Sequence, residues 1–344
     1  MPSNMYLPFF FLIRLSPHLT TNSPDGKRRC GRRQSTCEYD KRIITTLKYS
    51  KYHAVPTIVN GHPALKGQMP YVVSIKEPAA HKEKGILWLP LCGGSIISEI
   101  QVLTAAHCFE ARNFFYQKHS DRLRLVAGTL QSDIMHTGNT ETTDQAQWRK
   151  ISKLYLHRNF VFPENDIALV IVDEPWNYTD HVGYAAIASM NSDYRTSCFS
   201  AGFGLTSHKF RPSLTPVLIQ AKIEVMPLWK CTAIWEMDMS TFICTDSAVT
   251  DVGMGDSGGP LGCRYTLDPA EEPGRDILVG VVSGKNYDKT SLFTRVSRFR
   301  HWINNPTSSG SKLFSRIFLY VITFLILRYV LFYSILWYSL CKSL

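Results

Sequence analysis

Three residues of this sequence could together make a nucleophile at neutral pH. Ser257 lies in Gly255-Asp256-Ser257-Gly258-Gly259-Pro260, His107 in Thr104-Ala-Ala-His107-Cys108, and Asp166 in Asn165-Asp166-Ile-Ala-Leu169. A serine hydroxyl attacks poorly unless a base within hydrogen-bond reach takes its proton, and the base needs a third group to orient it. Imidazole suits the second task and a carboxylate the third. Taken singly, each has a plainer reading: a core histidine, a loop carboxylate, a turn serine. Gly255 and Gly258 flank the serine, where the backbone must turn sharply.

The elements that must hold these residues read as β-structure. Short apolar runs separated by turn residues recur at Tyr71–Ser74 with Ile75, Leu123–Ala127, Ile167–Val172, Val217–Val225, Leu278–Val282 and Leu292–Val296. That spacing suits an all-β barrel or sandwich. The pattern stops near Phe299–Ile303, which reads as a short amphipathic helix with Trp302 turned inward.

Together with Ile58-Val-Asn-Gly61, and in this order, the three motifs resemble the chymotrypsin-like (trypsin-family) serine proteases. The resemblance covers residues 58–304. It implies two packed six-stranded antiparallel β-barrels with a C-terminal helix and the cleft between them. His107 and Asp166 would come from the first half and Ser257 from the second. It implies peptide-bond hydrolysis through an acyl-enzyme, without cofactor or metal, on protein or peptide substrates. Ser257 would be the nucleophile and His107 the general base, with Asp166 fixing the imidazole tautomer. The N–H groups of Gly255 and Ser257 would form the oxyanion hole. After cleavage of a propeptide, the new amino group of Ile58 would turn inward and pair with Asp256, so the chain is expected to be a zymogen. Among nine cysteines, the implied pairs are Cys92–Cys108, Cys198–Cys263 and Cys231–Cys244. That complete use of the middle-segment cysteines favours an oxidising compartment.

Besides Asn60, where glycine is usual in the mature start, the sequence departs from this family pattern at the cleavage site and in the substrate pocket. Thr57, not Arg or Lys, precedes Ile58, so activation needs a protease of other specificity, or trimming after a cut at Lys41-Arg42, or does not occur. The substrate pocket is mixed. Asp251, six residues before Ser257, stands where an acid selects Arg or Lys side chains, because burying a carboxylate unpaired is costly. Gly253 stands where a cysteine is usual, and the partner expected after Ser283 is absent as well. Ser283-Gly284-Lys285 replaces a familiar Ser-Trp-Gly, and Ser291 a pocket-wall glycine. Lys285 is placed to reach Asp251 and neutralise it. Cleavage after Arg or Lys is expected, with this doubt built into the pocket. Asn177-Tyr178-Thr179 is a glycosylation sequon or a chance tripeptide.

The flanks differ from the middle in charge. The chain's net charge is +10, but residues 1–57 carry ten Lys/Arg against three Asp/Glu, and residues 305–344 carry four Lys/Arg and no acid. The middle is −1, which removes the composition that nucleic-acid binding would need. Residues 1–57 read as a basic propeptide, headed by a short apolar run, Tyr6–Ile13, that is a signal peptide or a disordered start. In the tail, Ile317–Leu340 is long enough to span a bilayer, although Arg328 lies near its middle. With Ser308-Ser309-Gly310-Ser311 before it, the tail reads as a membrane helix, a removed lipid-anchor signal or a non-native extension. The expected setting is therefore the secretory pathway, and the cell surface or beyond it. The expected partners are an activating protease and protein inhibitors. The rival is a protease-like binding protein that is never activated.

Overall fold

The computed structural model describes residues 61–82, 85–136, 146–204, 215–246, 252–253, 255–285 and 289–306. Ile58, Asp251, the N-terminal segment and the apolar tail lie outside the described residues. Among the described residues, no helix is long and apolar enough to cross a membrane.

The first half forms one antiparallel sheet. Its strands are β2 (Val72–Lys82), β3 (Gly85–Ser98), β4 (Gln101–Thr104), β5 (Arg124–Ala127), β6 (Ile134–His136), β7 (Gln147–Arg149), β8 (Ile151–Leu156) and β9 (Ala168–Val172). The order is β7-β5-β2-β3-β4-β9-β8, with β6 on β3. β7 pairs with β5, while β8, one residue further on, pairs with β9. One bent run of chain thus joins the two ends of the sheet, as barrel closure requires. The second half holds β1 (His62–Pro63), β10 (Ala186–Ile187), β11 (Ser197–Gly202), β12 (Ile219–Ile223), β13 (Phe242–Thr245), β14 (Pro260–Arg264), β15 (Ile277–Lys285) and β16 (Ser291–Arg295). Their order is β1-β12-β11-β14-β15-β16-β13, with β10 on β15. A Val225–Thr245 bridge, with Met226 N–H donating to the Cys244 carbonyl, ties the β12 end to β13. Each half thus contains the six expected strands and two short additions.

Alternation explains the cores. Val73 and Ile75 on β2, Leu103 on β4, Leu125 on β5 and Leu169 on β9 are fully buried in the first half. Ala221, Ile243, Leu261, Val279 and Phe293 fill the second. Among the described residues, three α-helices accompany the sheets: α1 (His107–Lys118), α2 (Leu228–Trp235) and α3 (Val296–Asn304). The sequence pattern points to α3 alone. Its Val296, Phe299, Trp302 and Ile303 are buried, and Phe299 and Trp302 pack edge-on against His157 of the first half. The terminal helix of the second half therefore clasps the first.

One polar residue breaks the core pattern. Lys76, on β2, is fully buried. Its ammonium donates to the Ser132 carbonyl and sits 5.3 Å from the centre of the Phe203 ring. Burial pushes its pKa down to about 8, against a smaller upward pull from Asp133. The unfolded chain holds this proton up to its ordinary pKa of about 10.4, so between the two values unfolding takes up a proton and stability rises with pH. A Lys76→Met variant lacks this term. Its stability relative to the natural chain should fall by about 2 kcal/mol between pH 7 and pH 9.5 in denaturant titrations. A difference that stays constant across that range would refute the burial argument.

Candidate active site

His107 and Asp166 arrive from neighbouring strands. β4 and β9 pair with Thr104 opposite Ala168. His107 follows β4 as the first residue of α1, and Asp166 precedes β9 by two positions. The ladder alone thus sets them side by side. One carboxylate oxygen of Asp166 accepts the His107 backbone N–H at 2.9 Å, and the other lies 2.7 Å from His107 Nδ1. The same oxygen accepts the Ser283 hydroxyl at 2.6 Å. Both His107 and Asp166 are fully buried. A carboxylate acceptor at Nδ1 requires the proton there, which makes Nε2 the basic nitrogen. The Phe162 ring packs edge-on against the imidazole, with centroids 5.5 Å apart.

Ser257 sits on a turn that enters β14. Gly255 has φ +97° and Gly258 φ +78°, conformations that L side chains rarely adopt. A Cβ at Gly255 would lie 2.8 Å from Gly204 Cα, and one at Gly258 only 2.2 Å from Thr104 Oγ1. The turn is fastened to both halves. Gly93 N–H of β3 donates to the Ser257 carbonyl at 2.7 Å, and Gly258 N–H to the Val282 carbonyl of β15 at 2.8 Å. Thr104 Oγ1 donates to the Gly93 carbonyl at 2.7 Å, so the strand that carries His107 also braces the serine turn. Asp256 is fully buried, and its two oxygens accept N–H groups of Gly204 at 2.9 Å and Gly253 at 2.8 Å.

The remaining residues singled out in the sequence divide. Ser283 is fully buried and spends its hydroxyl on Asp166. Lys285 and Ser291 face each other across the β15–β16 ladder. Lys285 is half-buried, and burial pushes its pKa down to about 8, whereas Ser291 is fully buried. The reach of Lys285 to Asp251 concerns a residue outside the described set, as does the Ile58–Asp256 pair. The disulfides are Cys92–Cys108, Cys198–Cys263 and Cys231–Cys244. Cys92, His107 and Cys108 cluster closely, but sulfurs joined to each other offer no thiolate to a metal. Sequence reasoning missed three contributors. Thr294 Oγ1 donates to the Asp166 carbonyl at 2.8 Å. Thr104 reads in the sequence only as part of the histidine motif, yet its hydroxyl braces Gly93 beside the serine turn. Phe162 fills the space beside Gly284, where a Cβ would lie 2.9 Å from its Cζ. The loss of an aromatic residue at position 284 was the available signal that another ring had taken its place.

The family model described as Trypsin matches residues 58–303. The chain belongs to the trypsin family. It is a serine endopeptidase. It is also 31% identical over 279 residues to a protein named Lectizyme from Glossina austeni, an overlap that covers 74% of this chain and 88% of the relative. As a member of the trypsin family it acts on protein substrates, and its two-barrel fold and three disulfides agree with the described structure.

Ser283 supplies a neutral donor to a buried anion, the stronger class of hydrogen bond. Ser283→Ala should lower stability by about 1.5–3 kcal/mol in denaturant unfolding. A loss below about 0.5 kcal/mol would mean that the Asp166 carboxylate does not depend on this donor.

Proposed function

We propose that His107, Asp166 and Ser257 carry out peptide-bond hydrolysis as general base, orienting carboxylate and nucleophile. The observation that carries this reading is the doubly held pair of His107 and Asp166, in which one carboxylate binds both the backbone N–H and Nδ1 of the same histidine. Ser257 Oγ attacks the scissile carbonyl carbon as its proton passes to His107 Nε2. The carbonyl π pair moves onto oxygen, and the N–H groups of Gly255 and Ser257 receive it. Collapse of this intermediate breaks the C–N bond, and His107 returns the proton to the leaving amine. Water then repeats the sequence on the acyl-enzyme, with His107 again as base. The fixed, left-handed turn at Gly255 supports the oxyanion role, because a donor that need not reorient stabilises developing charge most effectively.

The chain is made as a zymogen in this reading. Cleavage after Thr57 frees the Ile58 amino group, which pairs with the buried Asp256 and secures the turn. Residues 1–57 are the signal and propeptide, residues 58–304 the catalytic unit, and residues 305–344 a linker and a membrane-associating tail. The three disulfides support passage through the secretory pathway to the cell surface or beyond. Asp251 directs cleavage to bonds after Arg or Lys, with Ser283, Lys285 and Ser291 shaping the pocket around it. An activating protease and protein inhibitors complete the set of partners.

A fluorophosphonate probe, applied to chain cut before Ile58 at an engineered site, tests the catalytic assignment. Labelling should occur, should vanish in Ser257→Ala, and should map to Ser257. Labelling that persists in that variant, or never appears in cut wild-type chain, would overturn it. N-terminal sequencing of the secreted protein should return Ile58; a mature chain that retains Thr57 would refute the activation step. Matched peptides that differ only at the residue before the scissile bond should be cut fastest with Arg or Lys. Faster turnover with Phe or Leu would refute the pocket reading.

A further inference from the structure

Lys76 is a fully buried cation that the chemistry above does not use, and its surroundings lead to the serine turn. The ammonium binds the Ser132 carbonyl and faces the Phe203 ring. Ser132 N–H in turn donates to the Pro216 carbonyl at 3.0 Å, and Gln131 forms a bridge with Val217. Phe203 follows β11 directly, and Pro216 lies shortly before β12. One ammonium therefore touches the chain leaving β11 and, through Ser132, the chain returning to β12.

The next residue after Phe203 matters most. Gly204 donates its N–H to Asp256 Oδ1 at 2.9 Å, and its Cα is the atom that a Cβ at Gly255 would strike at 2.8 Å. Gly204 is thus the surface against which both Asp256 and the Gly255 peptide are set. Phe203 is 4% exposed, so its ring has little freedom except against its buried neighbours. An ammonium over a desolvated ring face is attracted to the ring quadrupole more strongly than in water.

We propose that Lys76 is a positioning residue for catalysis, holding the Phe203–Gly204 stem so that Gly204 keeps the Gly255 peptide aimed at the oxyanion. The proposal rests on the assignment of Gly255 to the oxyanion hole. Its charge is unfavourable to folding, since burial pulls its pKa down, so a role in stability alone gives no reason to keep a cation at this place. Misplacing a reacting or stabilising group by about 1 Å costs on the order of 100-fold in rate. Because the contact acts on transition-state charge, the loss falls on kcat and not on KM.

The test uses full chain cut before Ile58 at an engineered site, and a peptide substrate chosen by the matched-peptide experiment. Rates are expressed per active site titrated with the fluorophosphonate. Lys76→Met should lose about 10- to 100-fold in kcat with KM within about twofold, while its melting temperature at pH 7 is unchanged or raised. Lys76→Gln, which keeps a donor for Ser132 without the charge, should recover part of kcat. Phe203→Leu should lose kcat to a similar extent, and the double variant should be no slower than either single one. Unchanged kcat per titrated site in Lys76→Met and Lys76→Gln, or multiplicative losses in the double variant, would overturn the proposal. Failure of the oxyanion assignment is separately visible in the wild-type enzyme: a thionoester substrate, whose sulfur accepts hydrogen bonds poorly, would then be cut as fast as the matching oxygen ester.

Discussion

The structure turns on one buried anion that both halves of the molecule must satisfy. Asp166 has no access to water, and an isolated carboxylate in such a place would cost several kcal/mol. Its acceptors are met by His107 from the first barrel and by Ser283 on β15 of the second, while its carbonyl takes the hydroxyl of Thr294 on β16. If the barrels separated, the carboxylate would lose a donor and its main chain another. The docking of the two sheets and the setting of the histidine are therefore the same event.

That constraint propagates to the serine. β15 carries Ser283 to Asp166 and, one residue earlier, the Val282 carbonyl to Gly258 N–H. On the other side, β4 leads into His107 while its Thr104 steadies Gly93, which binds the Ser257 carbonyl. Two strands, one from each barrel, thus fix both His107 and Ser257. Gly93 and Gly258 have no side chains for a common steric reason: the strand and the turn approach so closely that a Cβ on either would meet backbone within 3 Å.

Much of this was legible in the sequence because the site is encoded in short, ordered motifs. The strands at Tyr71–Ile75, Leu123–Ala127 and Ile167–Val172 announced themselves through β-branched and aliphatic runs, and α3 through its inward Trp302. The cysteine pairs followed from family resemblance and agree with the structure. The α1 helix was invisible for a physical reason. Its apolar residues form no sustained stripe: Phe109 and Tyr116 share a buried face two turns apart, but Phe114 is exposed and takes φ +60°. Such a segment is helical because its ends are anchored, at His107 by Asp166 and at Tyr116 by Glu77. Position 283 was legible as important but not as what it does, since a hydroxyl aimed at a residue 117 positions away leaves no local pattern.

The pocket and the core compensate in ways that only three dimensions reveal. The exchange of an aromatic residue for Gly284 reads in one dimension as erosion of the cleft. In space, Phe162 from the loop before Asp166 occupies the vacated volume and leans on His107. An aromatic wall is thereby moved from one barrel to the other without being lost. Lys76 carries the same lesson with the opposite sign. A lysine on a strand reads as an outward-facing residue, yet here it points into the core, where its charge opposes folding. Both residues sit where the two halves meet around the site, and at each the local pattern yields to what the junction requires.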